Sequence, residues 1–394
     1  MRGWRGVAIG ASGILVFWGA VAAVLVFAVG GSGSGRNEVV VSEAGCGLGW
    51  RAPRSGSVTF TVKNTSAATA FNVQLLSDDQ KLLYAKTNVV GPSTEVAMPV
   101  VLPPGSYLFR CQGSNGFTEM SPSEKVRGPA VSGARPVAVV SSDQVQFALY
   151  DYEGSLLAWM KRLGVDTDRL TAAVHAGRLE EARRLWLPAH LDYSRLGVAY
   201  DTFGKFNDEI NERPLGLPGG VDDPNFEGFL RLEYGLWHDQ PRAELVPVAD
   251  KLDRAVHGLL RQFPSMKMLS GDLTLRAHEI LENTLQFELT GETDQGSHTN
   301  LATAWANVQG TKLAIAALTP ALGHVDPRLL GEVTTGLNQL SATLLSHHAA
   351  AGWTPLGSLS TRNRETIDSS LSGLLEKLEL VPDTLDPAMN GGDD

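Results

Sequence analysis

The period of the hydrophobic pattern changes once along this chain, and that change bounds what it can fold into. From about Glu38 to Arg127 the apolar residues come in short runs: Val39–Val41, Val58–Val62, Phe71–Leu76, Leu82–Tyr84, Glu95–Val101 and Tyr107–Cys111. Turn formers such as Asn64–Thr65–Ser66 and Pro103–Pro104–Gly105 part them. Val58, Phe60 and Val62 alternate with threonines, as in a strand with one buried face. Six or seven such strands predict a small all-β sandwich. Past Asp143 no strand signal is convincing. Amphipathic stretches of about 15–30 residues follow, interrupted at Gly164, Gly177, Pro214–Gly220, Gly271, Gly291–Gly296 and Gly323, which predicts an all-α bundle. Between the two patterns, Arg127–Asp143 (RGPAVSGARPVAVVSSD) reads as a linker that ends in a helix cap at Ser141, Ser142 or Asp143. The expected division is therefore 1–36, 37–127, 128–142 and 143–394.

The first of these segments carries Arg2 and Arg5 and then no charge until Arg36. Val7–Val29 is an apolar run of 23 residues, enough to span ~30 Å of hydrocarbon at ~1.5 Å per residue. A signal-peptide core is shorter, roughly 7–15 residues, so an uncleaved membrane anchor is favoured. Cleavage near Ala20–Ala22 is the other reading. Arg2 and Arg5 place the amino end in the cytoplasm and everything after the Gly30–Gly35 tether outside it. A net charge of -10 with no basic patch argues against nucleic acid or anionic lipid as the main partner. A hydrophobic content of 43% excludes global disorder.

In Asn225–Trp237 (NFEGFLRLEYGLW), Phe226, Phe229, Leu230, Leu236 and Trp237 fall on one helical stripe, and the i+7 position of that stripe is Glu233. A carboxylate buried in such a stripe needs a cation, a metal or a proton. Two readings are open: a structural Glu held by an Arg or by backbone donors, and a ligand facing the interior of a bundle.

GFLRLEYGLW resembles the GFHRLExxLW motif of imelysin-like proteins, in particular the EfeO-type iron-uptake proteins. The resemblance implies that Glu233 is a metal ligand, while Leu230 stands where the family has its histidine. HAGRLEEARRLWLPAHLDYSRL, SHTNLATAWANVQGTKLAIAAL and Gly352–Val381 resemble further helices of the family, and LPPGSYLFRC resembles the closing hairpin of its cupredoxin-like domain. About 340 residues are covered in all. The implied architecture is a cupredoxin-like sandwich followed by an imelysin-like helical bundle, behind an N-terminal transmembrane segment.

A blue-copper site needs two His and a Cys. All nine histidines lie from His175 onward, so the first domain has no such site. Where the family carries acidic side chains on the middle strands, this chain has Asn72, Gln74, Tyr84 and Ala85. Cys46 and Cys111 match two family cysteines by position. In an oxidising compartment a disulfide is the first reading of the pair, and a thiolate metal site the second.

In the helical domain Glu282 matches a family Glu, Asp201 a second acidic position and His298 a family His. His278 sits one turn before Glu282, although it matches no family histidine, and His190 shares a face with Trp186, Tyr193, Gly197 and Tyr200. Asp201, His278, His190 and His298 could stand in for the missing imidazole, with Glu282 as the carboxylate partner of Glu233. Gly197, Asn207 and Asn211 occupy positions expected to be acidic, and His347 and His348 read as surface residues.

The resemblance implies an extracytoplasmic metal-binding component of an EfeUOB-like iron-uptake system, with a membrane permease and a haem peroxidase as partners. Iron is the implied metal, with copper and zinc left open. The alternative is a scaffold or ligand-binding accessory protein that has lost its metal site. An enzyme is not expected: the family carries a peptidase label, but there is no H-E-x-x-H motif and no Ser-His-Asp or Cys-His set.

Overall fold

A computed structural model describes residues 37–87 and 89–385. The apolar run Val7–Val29 and its tether lie outside the described residues. Among the described residues, no helix is long and apolar enough to cross a membrane.

The amino-terminal region is built from β1 (Glu38–Ser42), β2 (Gly45–Leu48), β3 (Gly56–Asn64), β4 (Phe71–Ser77), β5 (Leu82–Lys86), β6 (Glu95–Leu102), β7 (Gly105–Gly113), β8 (Thr118–Met120), β9 (Glu124–Val126) and β10 (Val137–Ala138). One sheet has the order β2-β1-β3-β6, with β1 and β3 parallel. The other has the order β10-β5-β4-β7-β8, with β9 also paired to β7. All six runs read from the sequence are strands. Pro99 is accommodated because β6 is an edge strand. Inward residues of both sheets share one core, in which Trp50, Phe60 and Phe109 meet edge to face at 5.0–6.3 Å. A disulfide joins Cys46 on β2 to Cys111 on β7, one strand from each sheet.

The segment that composition marks as a linker contains β10. It pairs with β5, and Val139 N–H donates to the Lys81 carbonyl at 2.9 Å. Ser141 then caps α1 (Ser142–His175) through a reciprocal bond pair with Gln144. The expected break at Gly164 does not occur. α1 runs through it, and Leu260 packs 2.8 Å from where a Cβ would stand, so here glycine makes room for a neighbouring helix.

The helical region continues with α2 (Leu179–Ser194), a 3-10 turn (Gly197–Phe203), α3 (Lys205–Asn211), α4 (Gly228–Trp237), α5 (Arg242–Gln262) and α6 (Ser270–Asn283). After a π-turn (Thr284–Glu288) come α7 (Asn300–Val325), α8 (Pro327–Leu345), α9 (Thr361–Leu378) and α10 (Leu380–Leu385). α7 also runs through Gly323, which the sequence had marked as a break. α7 is apolar or small nearly all round, so it is the central helix, packed by α1, α2, α6 and α8. A two-residue hairpin, His348–Ala349 with Gly352–Trp353, interrupts the helices.

The stripe read as one helix from Asn225 begins as helix only at Gly228. Glu227 is extended, and Gly228 has φ +79°. A Cβ there would meet the Ile210 carbonyl oxygen at 2.1 Å, because α4 starts against the backbone at the end of α3. Gly228→Ala is expected to cost about 2–4 kcal/mol, from left-handed strain plus overpacking. The denaturant midpoint measures it, and an unchanged midpoint would show that the α3–α4 approach can open freely.

Candidate metal centre

Three elements meet around Glu233. α2 brings Trp186 and His190, α4 brings Leu230 and Glu233, and the turn before α7 brings Asp294 and Ser297. Together they enclose a chamber of about 10 Å³, the lower bound for one water molecule. Glu233 is 1% exposed. Its Oε1 accepts from the backbone N–H groups of Ser297 at 2.9 Å and Gln295 at 3.1 Å. Asp294 accepts from the intervening amides, Gly296 at 2.8 Å and His298 at 3.0 Å. Four successive N–H groups are thus shared alternately between two carboxylates. Burial pushes the Glu233 carboxyl up to about 8, against the hydrogen bonds of Ser297 and with help from the Asp294 charge.

His190 is 3% exposed and stacks on Trp186 with ring centroids 4.7 Å apart. Neither of its ring nitrogens makes a well-formed hydrogen bond, although the Asn211 amide is close enough to favour the protonated ring. Burial pushes its pKa down to about 4, the Asn211 amide opposing, so the ring is neutral and keeps an unshared electron pair. A buried neutral imidazole without a well-formed hydrogen bond, lining the same chamber as a buried carboxyl, is a donor set that a cation would satisfy.

Against this chamber lies an open polar cleft of about 270 Å³. Glu288, Thr293 and Thr303 line both. Glu288 closes the π-turn, and its Oε2 accepts from Thr293 Oγ1 at 2.7 Å and Asn300 Nδ2 at 3.3 Å. Burial raises its carboxyl to about 7, against those two bonds.

The structure brings two of the six side chains put forward from the sequence, Glu233 and His190, to the chamber. Asp201 lies in the cleft, paired with Arg276 Nη2 at 2.5 Å. His278 and Glu282 face each other at 3.8 Å on α6, outside both cavities. His298 is exposed and pairs with Asp294 at 2.7 Å. Gly197, Asn207 and Asn211 line the cleft. In the β region, Gln74 accepts from the buried Arg110 at 2.6 and 2.9 Å. Glu288 and Asp294 line the chamber without being among the six. Asp294 carried a signal, an acceptor set just before a Gly-Ser turn, whereas the π-turn shifts the helical phase at Glu288 and hides it. Among the described residues, Asp168, Asp253 and His257 on α1 and α5 bring ligand atoms within 4.8 Å of one another. There His257 is already engaged by Asp168 at 2.8 Å.

In this helical bundle an acidic residue and a histidine line one small chamber between α2, α4 and the turn before α7. The imelysin family pattern matches residues 148–380, more than half of the chain, and the chain belongs to the imelysin family. It is similar to the iron uptake system component EfeO of Escherichia coli strain K12, with 25% identity over 346 residues, 86% of this chain and 89% of that protein. EfeO of Escherichia coli O6:H1 strain CFT073 is 26% identical over 329 residues, 82% of this chain and 84% of that one. EfeO of Shigella flexneri is 25% identical over 346 residues, with 86% and 89% covered.

Proposed function

We propose that this protein is an extracytoplasmic metal-binding component of an iron-uptake system of the EfeUOB kind, capturing iron for a membrane permease, with a haem peroxidase as a further partner. The observation that carries the reading is the similarity to EfeO across both the β and helical regions, with Glu233 on the matching motif and buried in the same chamber as the His190 imidazole. The cargo metal sits at the Glu233 chamber, and no catalytic step is assigned. The β region is a cupredoxin-like fold without a copper centre, since it has no histidine. Residues 7–29 anchor the chain in the membrane with both regions outside the cytoplasm.

A second reading, a scaffold that has lost its metal, is favoured by Leu230 and by the two backbone N–H groups that already occupy Glu233 Oε1. Calorimetric titration of the full chain with ferric, zinc and cupric salts separates the two. The iron-uptake reading expects saturable binding near one ion per chain. Because Leu230 lines the chamber, Leu230→His is expected to tighten binding at least about tenfold. No binding by either protein would leave the scaffold reading.

A further inference from the structure

The cleft beside the chamber is lined for a different chemistry. Arg276 spends one Nη on Asp201 and the other on Glu279. Its buried Nε has no hydrogen-bond partner. Arg213 lays its guanidinium over the Phe287 ring at 3.8 Å, a stacking that leaves its in-plane N–H donors open. Around them the wall carries amides and hydroxyls, Asn207, Asn283 and Asn307 among them, and the carboxyl groups of Asp201 and Glu279, both paired with Arg276, and of the buried Glu288. A planar guanidinium with open in-plane donors on Arg213, with the one unspent Nε–H of Arg276 beside the same cavity, can recognise a planar oxyanion, a carboxylate above all. A volume of about 270 Å³ falls just under the roughly 300–1,000 Å³ of sites for drug-sized ligands, so the occupant is small.

We propose that this cleft binds a small hydroxy-polycarboxylate, and that the metal reaches the protein as a complex with such a chelator. The second half rests on the metal-uptake reading; the first does not. A hydrated or chelated ion cannot enter a chamber with room for at most one water, so its ligands must be left outside. Because Glu288, Thr293 and Thr303 are common to both cavities, a complex held in the cleft is parted from the chamber by one layer of side chains. Ferric iron at neutral pH is soluble only when complexed, and oxygen-rich chelators suit a hard cation.

The test is calorimetric titration of the full chain with citrate alone, with ferric citrate and with ferric ion freshly released from a weak chelator. Citrate alone is expected to bind. Arg213→Gln is expected to weaken it at least about tenfold, and Arg213→Lys to recover little, because a point charge does not replace a planar fork. Arg213 is exposed, and an unchanged thermal midpoint would show that both variants are folded. Glu233→Gln should leave citrate binding intact. Citrate that does not bind, or binds equally to Arg213→Gln, overturns the inference even if ferric ion binds. Citrate binding with no retention of iron in any form keeps the anion site and removes the chelate route together with the uptake reading.

Discussion

Glu233→Gln is expected to stabilise the metal-free protein at neutral pH and to abolish metal binding. The folded carboxyl titrates at about 8 against an ordinary 4.5, chiefly because it is buried. Between those values the unfolded chain is ionised while the folded one holds its proton, so stability falls as pH rises through that window and is level above it. At about pH 7 the wild type has thereby lost ~3 kcal/mol relative to acid conditions. Glutamine has no proton to lose, and its carbonyl oxygen still accepts from the Gln295 and Ser297 amides. The variant's denaturant midpoint should therefore fall less than the wild type's from about pH 5 to about pH 8, the Glu288 carboxyl raised to about 7 supplying slope that remains, and it should be higher than wild type near pH 7 in the presence of a chelator. Added metal reverses the order, because only the wild type gains binding free energy. A wild type with the same slope as the variant would show the carboxylate ionised throughout and held by its two amides alone.

Removing the Cys46–Cys111 bond is the second large effect. The two half-cystines are buried and 65 residues apart in sequence, and closing a loop of that size stabilises by ~4 kcal/mol on the chain-entropy model. The double Ser variant should melt earlier in its β region, as should wild type under reductant. Metal titration at Glu233 should stay unchanged, since that site draws on no residue of either sheet. An unaltered melt would mean that the aromatic core around Trp50 and Phe109 holds the sheets together without the cross-link.

Much of this arrangement was legible in the residues. The strands announced themselves by alternation, and the phase of Phe229, Leu230 and Leu236 was enough to bury Glu233. The helical spacing of Trp186 and His190 placed them on one face, where the rings do stack. Other features left no local trace. Phe226 matches the stripe in spacing, yet it precedes the helix, because Gly228 takes a left-handed turn dictated by a tertiary neighbour. Gly164 and Gly323 looked like breaks but serve packing, and only the partner helix explains why α1 tolerates a glycine there. Glu288 joins the two cavities through a turn whose irregular period no amphipathic template describes. Neither helix faces nor matching family positions say which of the six candidate ligands meet, and only the fold decides that His190 and Glu233 line one chamber while His278 and Glu282 keep to themselves.

The short strand β10 has a further consequence. It lies in the segment that would otherwise be a swinging connection, and that segment is fastened at both ends, by Ser55 N–H to the Arg127 carbonyl and by the Ser141 cap. Lys86 on β5 also reaches the Asp383 carbonyl at 3.1 Å, close to the far end of the described chain. A freely jointed tether would let each half tumble on its own, so a partner docking on one half would meet the other at a diluted local concentration. With the joint fixed, a single docking event on the sheets also sets the orientation of the bundle, and no ordering entropy is left for the second contact to overcome.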